Sequence, residues 1–174
     1  MTERTKKAKH PPNLIALIGF MGSGKSTVGR LLATRIGYKF VDLDALIEET
    51  TGKPIPEIFR REGEKKFREY ESQLLWSLTE EKNTVISTGG GAPITEKNRT
   101  FFTTRAFTIF LHVTLEEVLK RTTRDNNRPL LNQNLEEIKK LYQNRLPVYR
   151  SLGITVKTDG KTPLEICEEI LENL

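Results

Sequence analysis

Gly19-Phe20-Met21-Gly22-Ser23-Gly24-Lys25-Ser26-Thr27 is the stretch that decides the fold. It satisfies the phosphate-loop pattern GxxxxGK[ST], and its flanks supply the context that gives the pattern a mechanism. Before it, Leu14-Ile15-Ala16-Leu17-Ile18 is a short apolar run that reads as a buried parallel strand. After it, residues 28–36 are apolar at helical spacing and stop at Gly37, a C-terminal capping glycine. Glycines let consecutive backbone N–H groups turn into one anionic concavity. The helix opening near Lys25 adds the positive end of its dipole. In such loops the lysine reaches the β- and γ-phosphates and the hydroxyl that follows it ligates Mg²⁺, which assigns those tasks to Lys25 and Ser26. The stretch therefore implies a site for a nucleoside triphosphate, with Gly22, Ser23, Gly24 and Thr27 completing its wall.

Outward from this unit, short strands alternate with helical patterns. Lys39-Phe40-Val41-Asp42-Leu43-Asp44 reads as a second strand, with both aspartates on one face of its end. Helical patterns follow over 45–51, over a short turn through Phe59, and over 63–79. Phe59, Phe67 and Trp76 are expected in the core. Thr84-Val85-Ile86-Ser87-Thr88 is a third strand running into Gly89-Gly90-Gly91. A helix over 95–102, a fourth strand over 107–113 and the capping box Thr114-Leu115-Glu116-Glu117 come next. Residues 122–133 are polar and aperiodic, as in a loop. The next helix runs to about Ser151, with Pro147 expected to kink or break it. Gly153-Ile154-Thr155-Val156-Lys157 is a fifth strand, and Thr162-Pro163-Leu164-Glu165 caps a last helix. Alternation of this kind builds a parallel sheet covered on both faces. Ligands bind such sheets at the carboxyl ends of the strands, so the phosphate loop, the aspartate pair and the triple glycine should meet in one cleft.

Composition narrows the alternatives. The 174 residues suit one domain over 14–174, preceded by a disordered basic arm over 1–13. The net charge is +5, of which the first twelve residues carry +3. No apolar run approaches the roughly 20 residues of a membrane span, and the N-terminus lacks a signal-peptide core, so a cytoplasmic protein is expected. A GTPase would need a DxxG switch and an NKxD signature, and neither is present. A nucleic-acid-binding module would need basic residues patterned on one face, and only the arm qualifies. Cys167 is alone and helical, a packing residue, and His112, inside an apolar strand, reads as structural.

The ordered set GFMGSGKST, Asp42-Leu43-Asp44, Phe67-Arg68, Gly89-Gly90-Gly91, Arg128-Pro129-Leu130-Leu131 and Arg145-Leu146-Pro147-Val148-Tyr149 resembles the shikimate kinases. These are P-loop small-molecule kinases of the nucleoside-monophosphate-kinase-like class. The resemblance runs from about Leu14 to the C-terminus. It implies a three-layer αβα fold on a five-stranded parallel sheet and transfer of the γ-phosphoryl group of MgATP to the 3-hydroxyl of shikimate. It further implies that Arg68 and Arg145 clamp the acceptor carboxylate and that Gly89, Gly90 and Gly91 line the acceptor site. Asp44 would receive the acceptor hydroxyls, and Asp42 would act on Mg²⁺ beside Ser26. Arg128 matches a lid arginine that folds over the phosphates, and Arg121 and Lys161 match positions beside the nucleotide base. A monomer with no nucleic-acid or membrane partner is expected. Within the same fold, a gluconate-type or other small-molecule kinase is the alternative.

Overall fold

The computed structural model describes residues 11–124 and 135–174. The basic arm up to residue 10 and most of the expected lid, Arg128 included, lie outside the described residues. Five strands, β1 (Leu14–Ile18), β2 (Lys39–Asp42), β3 (Thr84–Ser87), β4 (Phe107–His112) and β5 (Ile154–Lys157), form one sheet in the order β2-β3-β1-β4-β5. Every pairing is parallel. The helices between them are α1 (Lys25–Ile36), α2 (Leu43–Thr51), α3 (Ile55–Ser77), α4 (Glu96–Thr104), α5 (Leu115–Arg124), α6 (Leu135–Leu152) and α7 (Pro163–Asn173).

The side-chain period of two sorts β1 between two cores. Ile15 and Leu17 pack with Val28 and Leu32 of α1 and Ile166, Cys167 and Ile170 of α7. Leu14, Ala16 and Ile18 face the opposite layer, with Leu43 and Ile47 of α2, Phe67 and Leu75 of α3, Phe101 and Phe102 of α4, and Ile138, Tyr149 and Leu152 of α6. The molecule is thus the expected αβα sandwich, and Cys167 is a buried packing residue.

Four local expectations are corrected. Asp44 does not sit on a strand beside Asp42. The Asp42 carboxylate accepts the backbone N–H of Asp44 at 3.1 Å and of Ala45 at 3.3 Å, so Asp42 caps α2 and Asp44 lies in its first turn. A short acidic side chain at a strand end captures orphan N–H groups more readily than it extends the strand. Pro147 does not break α6, which runs unbroken from 135 to 152. The carbonyl deprived of its partner belongs to Gln143, which is exposed, as is Pro147, so water can satisfy it. The segment 122–133 is not wholly loop, because α5 extends to Arg124. Phe59 is 38% exposed rather than in the core, although its ring stacks 4.7 Å from the buried Phe67.

The two helical patterns before and after Gly63 are both present, as parts of α3. Gly63 adopts φ 85° and ψ 166°, a bend open to glycine, and separates a segment from Ile55 from one ending at Ser77. His112 stacks edge-on against Phe110 and lies 3.4 Å from the Tyr142 hydroxyl. Burial, reinforced by Arg150, pushes its pKa down. No helix among the described residues is long and apolar enough to cross a membrane.

Candidate active site

The carboxyl ends of β1, β2 and β3 open into one cavity of about 230 Å³. Lys25, Ser26, Asp42, Asp44, Gly89 and Gly90 all contribute to its wall, with Met21, Gly24 and Thr27. The three motifs therefore converge as strand-end logic requires. In the phosphate loop Gly24 has φ 87°, a left-handed conformation that starts α1 with its N–H groups turned inward. Gly22 also has positive φ, and Ser23 is buried. The Lys25 ammonium folds along the loop, donating to Gly19 O and Phe20 O at 2.9 Å each. Arg121, half-buried on α5, donates to Gly22 O at 2.9 Å and pairs with Glu117, bracing the loop from outside.

Beside the loop, oxygen donors gather. The Ser26 hydroxyl donates to Asp42 Oδ2 at 2.7 Å and lies 3.2 Å from the Ser87 hydroxyl. Ser87 is the register partner of Asp42 across β2 and β3, which explains why three oxygens meet there. Mg²⁺ takes oxygen ligands, keeps several waters and borrows phosphate oxygens. The Ser26 hydroxyl and Asp42 carboxylate fit that habit. Among the described residues no cluster of three or more His, Cys, Asp or Glu could hold a metal without such help.

Past the end of β3 the cleft is organised by Gly89-Gly90-Gly91. A Cβ on Gly89 would come within 2.9 Å of Asp44 Oδ1 and 3.3 Å of Glu71 Oε1. One on Gly90 would meet Arg145 at 3.3 Å, and one on Gly91 would strike the Arg68 guanidinium at 2.3 Å. None of the three has positive φ, so they are glycines for space, not for conformation. Absence of three side chains lets a carboxylate and two guanidinium groups close on one turn. The turn itself is held through its carbonyls. Gly89 O accepts from Ala92 N, Gly91 O from Ile94 N, and Gly90 O from the Tyr149 hydroxyl at 2.6 Å.

Charge in this pocket is finely placed. Arg68 donates to Glu71 at 2.8 Å and to Glu64 at 3.3 Å. Glu71 is fully buried, with one oxygen lacking a hydrogen-bond partner among the described residues. Burial pushes its carboxyl up despite Arg68 beside it. Asp44 is raised as well, by burial first and by Asp42 second, against the pull of Lys25 and Arg68. Burial pushes the Tyr149 phenol to about 12, so it stays a hydrogen-bond donor at any ordinary pH.

Gly91→Ala separates geometry from stability. The new methyl meets the mobile end of a side chain rather than backbone. It should displace the Arg68 guanidinium, raising the acceptor KM by an order of magnitude or more with a small change in Tm, measured by steady-state kinetics and thermal unfolding. A large fall in Tm with unchanged KM would mean that Gly91 serves packing alone.

Lys161, expected beside the base, is ion-paired with Glu169 of α7, and its N–H donates to Thr158 O. Arg121 reaches the same carbonyl at 3.5 Å, so both flank the loop after β5. Glu71, Ser87, Thr88 and Tyr149 are site residues that sequence reasoning missed. The signal for Ser87 and Thr88 was their place at a strand's carboxyl end. Glu71 was visible only as a helix-surface partner of Arg68, and Tyr149 only as part of a motif.

A phosphate loop on the first strand of a five-stranded parallel sheet, with a charged pocket beside it at the ends of the next two, defines a P-loop kinase for small molecules. The shikimate kinase family model matches residues 21–174. The chain belongs to that family. It is 45% identical over 157 residues to the shikimate kinase of Persephonella marina, covering 90% of this chain and 96% of that one. Shikimate kinase from Acinetobacter baumannii in complex with shikimate superposes with a TM-score of 0.87 at 40% identity, covering 94% of this chain and 93% of that one. A gluconokinase from Sinorhizobium meliloti, at 20% identity, TM-score 0.56 and coverage of 94% and 92%, shares the fold alone.

Proposed function

We propose that this chain transfers the γ-phosphoryl group of MgATP to the 3-hydroxyl of shikimate, giving shikimate 3-phosphate and ADP. The observation that carries the reading is the glycine turn, where Asp44, Arg68 and Arg145 close on three successive residues at the mouth of the phosphate-loop cavity. A planar guanidinium matches a carboxylate in two-point contact, and two of them with an aspartate suit a hydroxylated carboxylic acid.

The roles follow from position. The loop N–H groups and Lys25 hold the phosphates, Lys25 exchanging its loop carbonyls for phosphate oxygens. Ser26 and Asp42 would hold Mg²⁺, which would supply positive charge against the charge developing on the phosphates. Arg68 and Arg145 take the acceptor carboxylate and so fix the ring, while the N–H of Gly90 reaches a ring hydroxyl. Asp44 accepts the proton of the attacking hydroxyl as the new O–P bond forms and the bond from the γ-phosphorus to the β,γ-bridging oxygen breaks. Its raised pKa suits that task, since a base works best near the operating pH. Arg121 and Lys161 border the nucleotide base, and Arg128 stabilises transition-state charge. The catalytic unit is a monomer that needs no macromolecular partner.

A coupled assay for ADP release, with shikimate, quinate and gluconate offered side by side, tests the reading. Preference for shikimate is expected, and turnover with gluconate alone would replace shikimate with the gluconate-type reading.

Arg68→Ala and Arg145→Ala should each weaken shikimate binding by roughly 1.5–3 kcal/mol, the scale of a hydrogen bond to a charged group. ATP affinity should hold in both. Only Arg68→Ala should also lower stability, by about 3 kcal/mol, because it strands the buried Glu71. Calorimetric titration and denaturant unfolding separate the two effects. Equal stability of the two variants would remove Glu71 as the buried partner of the clamp.

A further inference from the structure

The carbonyls of the turn from Gly89 to Ile94 are fastened almost one by one. Gly89 O accepts the Ala92 N–H at 3.2 Å, and Gly91 O accepts the Ile94 N–H at 3.0 Å. From α4, Asn98 donates to Ala92 O at 2.9 Å, and Arg99 donates to Pro93 O at 3.4 Å and Ile94 O at 2.8 Å. The peptide between Gly90 and Gly91 hangs on a single bond. Among the described residues its carbonyl meets only the Tyr149 hydroxyl, at 2.6 Å, and nothing accepts its N–H. A trans peptide is planar, so that bond turns the carbonyl toward α6 and the Gly91 N–H away from it. Glycine on both sides leaves no Cβ to oppose rotation of this peptide. Reversal would carry Gly91 from its φ of −87° into positive values that glycine adopts readily. The chain is therefore freest where the site needs one orientation.

Tyr149 is itself firmly placed. It is 1% exposed, and its ring lies 5.2 Å from that of Phe110 on β4. Its Oη sits 3.4 Å, and Arg145 Nη1 3.3 Å, from the place a Cβ on Gly90 would occupy, so the phenol stands where the turn and the Arg145 guanidinium meet. We propose that Tyr149 is a positioning residue for the acceptor: its hydroxyl holds the Gly90–Gly91 peptide in the one orientation that keeps the carbonyl out of the acceptor cleft. Without the hydroxyl, that carbonyl faces the apolar cluster around residue 149, where an unpaired oxygen is costly. Turning the peptide over relieves the cost by bringing the oxygen to the water of the cleft. There it is a rival acceptor for Arg145 and Arg68, which flank the two glycines, and it repels the carboxylate they should take. Shikimate then binds only the fraction of molecules still in the original orientation, and its apparent affinity falls by that fraction. The consequence for shikimate rests on the glycine turn being the acceptor site, and the lock on the peptide does not.

The test is Tyr149→Phe in the full chain. The shikimate KM should rise about tenfold, the equivalent of one ordinary hydrogen bond. The MgATP KM, and kcat at saturating shikimate, should hardly change, because Tyr149 takes no part in the wall around Lys25. NMR of the glycine carbonyls and amides should show exchange broadening or a second set of resonances at Gly90 and Gly91 in the variant, absent from the parent and suppressed by saturating shikimate. Phe110→Leu is the packing control. It loosens the ring of Tyr149 but spares the hydroxyl, so it should lower Tm and leave the shikimate KM near the parent value. An unchanged shikimate KM in Tyr149→Phe overturns the proposal, as does the absence of any difference at Gly90 and Gly91. So does a rise matched by Phe110→Leu, which makes packing the cause, or one matched in the MgATP KM, which places the change beyond the acceptor side. Failure of the parent chain to bind shikimate would instead count against the acceptor reading, and the Gly90 and Gly91 resonances would still decide the lock.

Discussion

Lys25→Ala should abolish phosphoryl transfer while leaving the chain folded. The side chain is half-buried and its ammonium is tied to two loop carbonyls, not to the hydrophobic cores. Its loss frees Gly19 O and Phe20 O, and the space it vacates opens on the cavity that Lys25 lines, so water can take the ammonium's place and the stability change should be small. Catalysis has no such substitute. The transferred phosphoryl group spreads charge over its oxygens, and a fixed cation in a water-poor site stabilises that charge far better than solvent does. A loss of at least about 10³-fold in kcat is expected, the upper scale for removing one such donor. ADP release and thermal unfolding measure the two sides. Turnover at the parent rate would remove Lys25 from the mechanism.

Asp44→Asn carries the second large effect, and its pH dependence makes it diagnostic. Asparagine keeps the shape and still accepts a hydrogen bond from a hydroxyl, but it takes up a proton far less readily. As a general base, Asp44 should be worth on the order of 10²–10⁴-fold in kcat. If it only orients the ring, KM should rise and kcat should fall little. In the parent chain the acid limb of kcat/KM should lie above the ordinary aspartate value of 3.8, because burial, then Asp42, raises the pKa of Asp44. Activity falls as pH drops through that raised value and the base is protonated. The limb should vanish in Asp44→Asn.

Stability runs the other way. A raised folded-state pKa means that the stability contributed by the protonated acid is fully present below the unfolded value of 3.8 and is lost as pH rises through the folded value. Asn, neutral throughout, should therefore raise Tm at neutral pH and leave it nearly unchanged in strong acid. A variant less stable than the parent at neutral pH would contradict the raised pKa.

Chain order and residue pattern carried most of the architecture. β1 is an uninterrupted apolar run because a central parallel strand is buried on both faces, and all five of its residues are buried. Capping residues announced α7, whose Thr162 and Glu165 form the full reciprocal box. The convergence of phosphate loop, aspartates and glycines also followed from sequence, since parallel strands place their carboxyl ends together. What misled was local competition. Asp42 both ends β2 and caps α2, so the chain turns helical at Leu43 instead of carrying the strand on to Asp44, and only the packed helix decides that. Pro147 would break a helix in isolation, yet α6 continues through it with Ile138, Tyr149 and Leu152 packed in the core.

The site divides along the same line. The lysine of GxxxxGK[ST] was legible because spacing along the chain is enough to recognise it, and the two arginines were singled out by the family resemblance. The residues that set their environment were not. Glu71 lies three positions from Arg68, as any surface salt-bridge partner does, and only the tertiary fold buries it against Gly89 beside Asp44. Tyr149 reaches Gly90 across 59 residues of chain, and Ser87 meets Ser26 across 61. By itself the sequence determined the fold class and the phosphate loop, and it marked Asp44, Arg68 and Arg145 as the candidate acid and clamp. The tertiary structure alone decided which oxygens stay unpaired, which pKa values rise and which glycines exist to make room. Those properties depend on distance and burial, and neither is encoded in any local stretch of chain.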